Sequence, residues 1–467
     1  MPITLDSFEN SALPTLLRYA TIPCLSPAFD ASWEANGYIE TAIKLLAEWV
    51  NSRNLDGAQV SIQRLPGRTP VLVLDVAATK EGLGTVVLYG HMDKQPPLGE
   101  WSEGLNPYQP VRRGDRVYAR GIADDGYATF AAVLAIEELQ KRSAPHARMI
   151  LLIEASEESG SPDLEAHLDE LADSIGRVDL LICLDSGALT YDRLWITTSL
   201  RGLVNVEITV HVLERGQHSG SASGVVPSSF RILRQLINRV EDPESGEILL
   251  AALHAIIPEE HLAAAYQVAS EFGDIAGAPM PIIDGLDLMG SNDAERLLNR
   301  TWRPSLSITG MAGIPAPADA GNVLRPFTTA VLSLRLPPTV SSTTAAAALQ
   351  QVLTTNVPSH ARVDVEISSA DGWLTPKPHE WLRAAMSLAS EEFFGNAVGY
   401  TGEGGSIPFL ASLGQRYPDV QFVATGVLGP HSNAHGIDEM LDLPTTVKVT
   451  NCIVTVIAAH AADKRNS

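Results

Sequence analysis

Met149-Ile150-Leu151-Leu152-Ile153 runs straight into Glu154-Ala155-Ser156-Glu157-Glu158-Ser159-Gly160. Five consecutive apolar residues without alternation predict a strand buried on both faces. The segment after it is acidic and turn-forming. Two other runs share this design. Thr85 to Tyr89 leads into Gly90-His91-Met92-Asp93, and Leu180 to Leu184 leads into Asp185-Ser186-Gly187. Such strands alternate with helical stretches, for example Ala128 to Leu139. The alternation predicts an α/β unit whose mixed, largely parallel sheet is flanked by helices. In open α/β sheets, sites lie beyond the carboxyl ends of the strands. His91, Glu157, Glu158 and Asp185 are therefore expected to converge, although they lie far apart in sequence.

Between the first two strand exits lies Arg120-Gly121-Ile122-Ala123-Asp124-Asp125-Gly126, just before a helical run from Tyr127 to Gln140. Alone, a carboxylate doublet between glycines reads as a turn or a helix cap. Beside the strand exits it reads differently, because one carboxylate has two oxygens and can bridge two cations. A fourth strand, Gln421 to Gly426, precedes Gly429-Pro430-His431-Ser432-Asn433-Ala434-His435-Gly436-Ile437-Asp438-Glu439. The gathered donors are imidazole and carboxylate without thiolate. That set suits Zn²⁺, with Mn²⁺ or Co²⁺ as alternatives, in a catalytic site. Calcium fits poorly, since it prefers oxygen ligands alone.

The pattern changes near Leu200. Val204, Val206, Ile208, Val210 and Val212 alternate with other residues, as in a half-exposed strand. Helical stretches at Ser228 to Val240 and Thr343 to Leu353, with strands at Thr329 to Leu336 and Val363 to Ile367, predict a smaller α+β domain. We read residues 200–371 as this domain, inserted into a discontinuous one built from 1–199 and 372–467. The segment from Asp242 to Arg303 reads as a mostly helical insertion.

The 467 residues carry 33 basic and 55 acidic side chains, a net charge of −22. Nucleic acid and anionic membrane both need a basic footprint, so neither is expected as a partner. No secretory leader is recognised in the first residues, and no apolar run reads as a membrane span. Cys24, Cys183 and Cys452 are scattered and form no knuckle or disulfide framework, which predicts a cytoplasmic protein.

The segments Gly90 to Asp93, Gly121 to Gly126, Glu154 to Ser161 and Asp185 resemble the metal motifs of the M20 metallopeptidases. The likeness is greatest to the cytosolic non-specific dipeptidase and carnosinase branch. Ser199-Leu200-Arg201-Gly202, Gln217-His218-Ser219-Gly220 and Gly402-Glu403-Gly404-Gly405-Ser406-Ile407-Pro408 resemble further motifs of that branch. The resemblance implies a di-metal hydrolase. Asp124 would bridge the ions, His91 and Asp185 would complete one set, and Glu158 and His435 the other. Asp93 would orient the His91 imidazole. The Asp124–Asp125 peptide would be cis. His435-Gly436-Ile437-Asp438-Glu439 departs from the family's terminal pattern at Ile437 and Asp438. His431 is the alternative ligand, and His435 is favoured because a single histidine should close the set. Glu157 would act as general base, accepting the proton of the attacking water.

On the same resemblance, His218 would reach the substrate carbonyl from a partner subunit. Arg335, in Ser333-Leu334-Arg335-Leu336-Pro337, would hold the substrate carboxylate through its bidentate guanidinium. Asn322 and Ser406 would touch substrate. The inserted domain would close over the site and carry an isologous homodimer interface. The expected reaction is cleavage of the amide bond of a dipeptide or similar small substrate with a free carboxylate. The same chemistry on an N-acyl amino acid is the first alternative. A catalytically inactive binding or scaffold relative is the alternative from another class, and the complete ligand set argues against it.

Overall fold

The three apolar runs are neighbouring strands of one six-stranded sheet. Its order is Ala58–Gln63, Val71–Val76, Arg148–Glu154, Thr85–His91, Leu180–Cys183, Gln421–Ala424. The last four pair in parallel. The first two form an antiparallel hairpin against Arg148–Glu154. Every residue of Thr85–His91 is buried, as a central strand covered on both faces requires. Ala58–Gln63 was not anticipated. It is an edge strand whose mixed Ala-Gln-Val-Ser-Ile-Gln composition gives only a partial burial pattern.

The computed structural model describes residues 2–405 and 408–466. It comprises two compact units. One is Met1–Thr198, Thr375–Thr401 and Ser412–Ser467, and the other is Ser199–Leu374 and Gly402–Ala411. The segment Gly402–Ala411 thus groups with the second unit, whereas the sequence reading placed it with 372–467.

In the first unit, helices Ala128–Lys141, Glu380–Phe394 and Leu443–Asn466 pack together, with Ala128–Lys141 also against the sheet. Ala128, Ala131, Ala132 and Ala135 are fully buried, so small side chains let this helix approach closely. Each fully buried Leu, Ile or Val around it contributes about 1.5–3 kcal/mol. Leu443–Arg465 is long and apolar enough to span a membrane by length and composition, a run the sequence reading missed. Its apolar window is 72% buried within the chain, which accounts for its composition as a core helix.

The second unit has an antiparallel four-stranded sheet in the order Ser305–Ala312, Phe327–Leu336, Gly202–His211, Arg362–Ala370. Val204, Val206, Ile208 and Val210 share a core with Ala330, Leu332, Leu334 and Leu336 and with residues of helices Ser229–Ile237 and Ser342–Thr354. Alternate residues face away from this core, as period-two patterning predicts. Ser305–Ala312 escaped the sequence reading because it is a largely exposed edge strand with a register shift between Ile308 and Gly310. The insertion is less helical than expected. It holds Glu259–Phe272 and Asp293–Thr301, with turns and bends over 273–292.

Candidate metal centre

Because the four parallel strands run the same way, their carboxyl ends share one rim. His91 closes the first of them in sequence. Its backbone N–H donates to Asp125 Oδ2 at 3.2 Å. A Cβ on Gly90 would lie 2.5 Å from that same oxygen and 2.6 Å from Ala128 Cβ, so only glycine permits this approach. The turn Ile122–Gly126 carries Asp124, and the Asp124–Asp125 peptide is cis. Gly121 ahead of it has φ +71°, and a Cβ there would strike the buried Lys94 side chain.

Asp124 faces two histidines with different oxygens. Oδ1 lies 3.3 Å from His91 Nε2, and Oδ2 lies 3.1 Å from His435 Nε2. His435 Nε2 is also 3.1 Å from Glu158 Oε2, and His91 Nε2 is 3.8 Å from Asp185 Oδ2. Ligand atoms of His91, Glu157 and Asp185 lie within 4.8 Å of one another, as do those of His91, Asp124 and Glu158. The site thus brings together His91, Asp124, Glu157, Glu158, Asp185 and His435. His431 lies exposed on the same loop.

Asp93 is completely buried behind this group. Its carboxylate lies 3.4 Å from His91 Nδ1 and accepts the backbone N–H groups of Glu157 at 3.1 Å and Glu158 at 3.0 Å. The Asp93 carbonyl oxygen lies closer still to His91 Nδ1, at 3.1 Å, so one residue aims the imidazole and fixes the turn that presents both glutamates. Gln95 Nε2 donates to Glu158 Oε2 at 2.8 Å.

Electrostatics follow from burial and crowding. Burial disfavours the charged forms, yet His435 and His91 hold the Asp124 carboxyl well below the usual range. Conversely, against burial, Asp124 and Glu158 lift His435 to about 11. Burial, then Asp185, push Glu157 well above an ordinary carboxyl, and burial, then Asp124, raise Glu158. Behind the rim, burial and then Asp93 raise Glu154 to about 7, although Tyr89 and Ser161 donate to it.

The donors fit divalent metal. Asp124, Glu157, Glu158 and Asp185 supply four carboxylates against two imidazoles, a negative excess that two divalent cations would balance. Neither cluster of ligand atoms includes a cysteine, so the set is nitrogen and oxygen. Sequence reasoning missed Glu439. It accepts hydrogen bonds from Arg120 and from the backbone of Gly121, Ala123 and Asp124. Only a motif position four residues past His435 hinted at it.

In the second unit, His218 ends the short strand Gln217–His218, paired with Val323–Leu324. Gly220 N–H donates to its Nδ1 at 3.1 Å, so the neutral ring carries its proton on Nε2. Asn322 is adjacent, its carbonyl accepting Ser219 N–H at 2.9 Å. Arg335 is half-buried in the sheet, opposite Ser305 and Leu203, and burial lowers its pKa. Ser406 lies outside the described residues.

Residues 87–459 match the model of peptidase family M20/M25/M40. The cysteinylglycine-S-conjugate dipeptidase of Corynebacterium striatum is 26% identical over 407 residues, 86% of each chain. A Cys-Gly metallodipeptidase of Schizosaccharomyces pombe is 24% identical over 463 residues, 97% of this chain and 96% of the relative. The structure of human carnosine dipeptidase 1 is similar with a TM-score of 0.77 at 20% identity, covering 98% of this chain and 97% of that one.

Proposed function

The chain belongs to peptidase family M20/M25/M40, and from that premise we propose that it is a di-metal dipeptidase. It cleaves the amide bond of a dipeptide or similar small substrate with a free carboxylate. The observation that carries this reading is Asp124, whose two oxygens face His91 and His435 separately. His91, Asp124 and Asp185 would hold one ion, and Asp124, Glu158 and His435 the other, with Zn²⁺ the best match to the donors. When bound, the metal supplies Lewis acidity and brings the pKa of a coordinated water toward neutrality.

The remaining roles belong to side chains. Glu157 accepts the proton of the attacking water and returns it to the departing amine as the C–N bond breaks. Asp93 holds the Glu157–Glu158 turn and the His91 ring, so both keep their aim. We assign His218, through its Nε2–H, to the carbonyl oxygen as negative charge builds there. Arg335 takes the substrate carboxylate, with Asn322 and Ser406 as further substrate contacts. A homodimer through the second unit and a cytoplasmic location complete the proposal. Unpaired cysteines support the location.

A substrate panel tests this. Zn²⁺-loaded protein is assayed on Cys-Gly, β-Ala-His and other dipeptides beside N-acyl amino acids, before and after chelation. Hydrolysis of at least one dipeptide, lost on chelation and restored by metal, is expected. Turnover of N-acyl amino acids alone would move the substrate assignment to deacylation. Turnover of nothing by metal-loaded protein would refute the enzymatic reading.

A further inference from the structure

We propose that the buried Arg120–Glu439 pair is a positioning device that locks the His435 loop to the Asp124 turn and so secures one metal ion selectively. The inference rests on the di-metal reading above. Glu439 is completely buried and Arg120 is 1% exposed. The Glu439 carboxylate uses both oxygens. Oε2 accepts from Arg120 Nη1 and from Gly121 N–H, each at 2.8 Å. Oε1 accepts from Ala123 N–H at 3.0 Å and Asp124 N–H at 3.2 Å. One carboxylate thus gathers the backbone of the turn that presents Asp124. From the same guanidinium, Nη2 donates to the carbonyl of Gly436, the residue after His435. Arg120 and Glu439 thereby connect two ligands that are 311 positions apart in the chain (435 − 124).

The His435 loop needs such a clamp. His431, Asn433, His435 and Asp438 all have positive φ, at 67°, 51°, 62° and 60°. His, Asn and Asp tolerate this region better than other side chains, but four such residues within eight positions form an irregular loop with no helix or strand ladder to hold it. Ser102 restrains Asp438 through its N–H and its hydroxyl. Arg120 restrains Gly436. His435 itself is 56% exposed, so its own packing fixes it weakly. The opposite ligands stand on firmer ground. His91 closes a strand paired on both sides, and Asp185 follows Leu184, whose N–H donates to Tyr89 O at 3.1 Å. Loosening the pair should therefore weaken the ion held by Asp124, Glu158 and His435. The other ion shares Asp124 but keeps His91 and Asp185, which the pair does not touch, so it should weaken less.

The test is Zn²⁺ titration of the full chain against a chromogenic chelator, for wild type, Glu439→Gln, Arg120→Met and Arg120→Lys. The glutamine amide would face the amide donors with an N–H of its own. Arg120→Met would leave Gly436 unheld. Wild type is expected to bind two ions. Glu439→Gln and Arg120→Met should lose affinity for one of them by about 10–100-fold, the usual cost of removing an outer-shell partner. The other affinity should fall less, since His91 and Asp185 are untouched, and least in Arg120→Met, where Glu439 still faces the Asp124 turn. Arg120→Lys, which keeps the charge but not the fork, should fall between. Thermal unfolding of each metal-free variant separates lost positioning from lost folding. If Glu439→Gln does not fold, Arg120→Lys still decides. Equal weakening of both sites, or wild-type affinity at both, would overturn the inference. Wild type without metal would sink the di-metal reading itself, whereas two tight ions in every variant would overturn the positioning role alone.

Discussion

Glu157 and Glu158 are adjacent in sequence and divided in environment. Glu158 Oε2 faces His435 and Gln95, whereas Glu157 clusters with His91 and Asp185. This division underlies the assignment of Glu158 as ligand and Glu157 as base. Glu157→Gln should lower kcat by about 10²–10⁴-fold, the usual contribution of a general base. Elemental analysis should find its metal content unchanged. Loss of metal together with activity would make Glu157 a ligand and leave the base unassigned. At this scale, legibility depended on what a side chain meets. His91, Asp124, Glu158 and Asp185 stand at strand exits or in a motif, where sequence position implies direction. Lys94 does not, and Glu439, although it ends the His435 motif, shows nothing there of what it meets. Their roles come from facing backbone groups. Lys94 Nζ donates to the carbonyls of Tyr19, Ala20 and Ile22, and no residue type announces such partners.

Elements explain why distant residues meet. Thr85–His91, Arg148–Glu154 and Leu180–Cys183 are mutually parallel neighbours, so their exits fall on one rim. Uninterrupted apolar runs made these strands readable. Edge strands such as Ala58–Gln63 and Ser305–Ala312 were not, because half-exposure dilutes their pattern. The long helix Leu443–Asn466 carries an internal liability at His460. That ring is 1% exposed, neither nitrogen has a hydrogen-bond partner among the described residues, and Trp381 stands edge-on 5.6 Å away. Burial lowers its pKa, against the pull of Asp179 and with a push from Lys464. The folded protein therefore resists a proton that the unfolded chain accepts below about pH 6.5. Stability from this group is full above that pH and declines as pH falls toward the lowered folded value. His460→Leu removes both orphan nitrogens. Urea unfolding between about pH 7 and pH 5 should show a shallower loss of stability in the variant than in wild type. Parallel slopes would mean that His460 does not titrate in this way.

For the whole molecule, carboxylates collected in one unit make folding and metal binding a linked equilibrium. A ligand that binds only the folded state stabilises it by RT ln(1 + [L]/Kd), about 2.7 kcal/mol at a hundredfold excess over Kd. Chelation should lower Tm, and Tm should climb with the logarithm of free Zn²⁺. A Tm indifferent to metal would contradict a folded-state site. The two-unit organisation left a clear mark in the sequence, where continuous apolar runs give way to period-two alternation after Leu200. The grouping of Gly402–Ala411 with the second unit did not, because it depends on tertiary contacts rather than on any local pattern. The central claim is that Asp124 bridges two ions. Anomalous diffraction at the zinc edge from Zn²⁺-loaded crystals tests it most directly. Two peaks are expected, each about 2.0–2.2 Å from a different oxygen of Asp124. One should also touch His91 and Asp185, and the other Glu158 and His435. A single peak, or two peaks that do not share Asp124, would contradict the account.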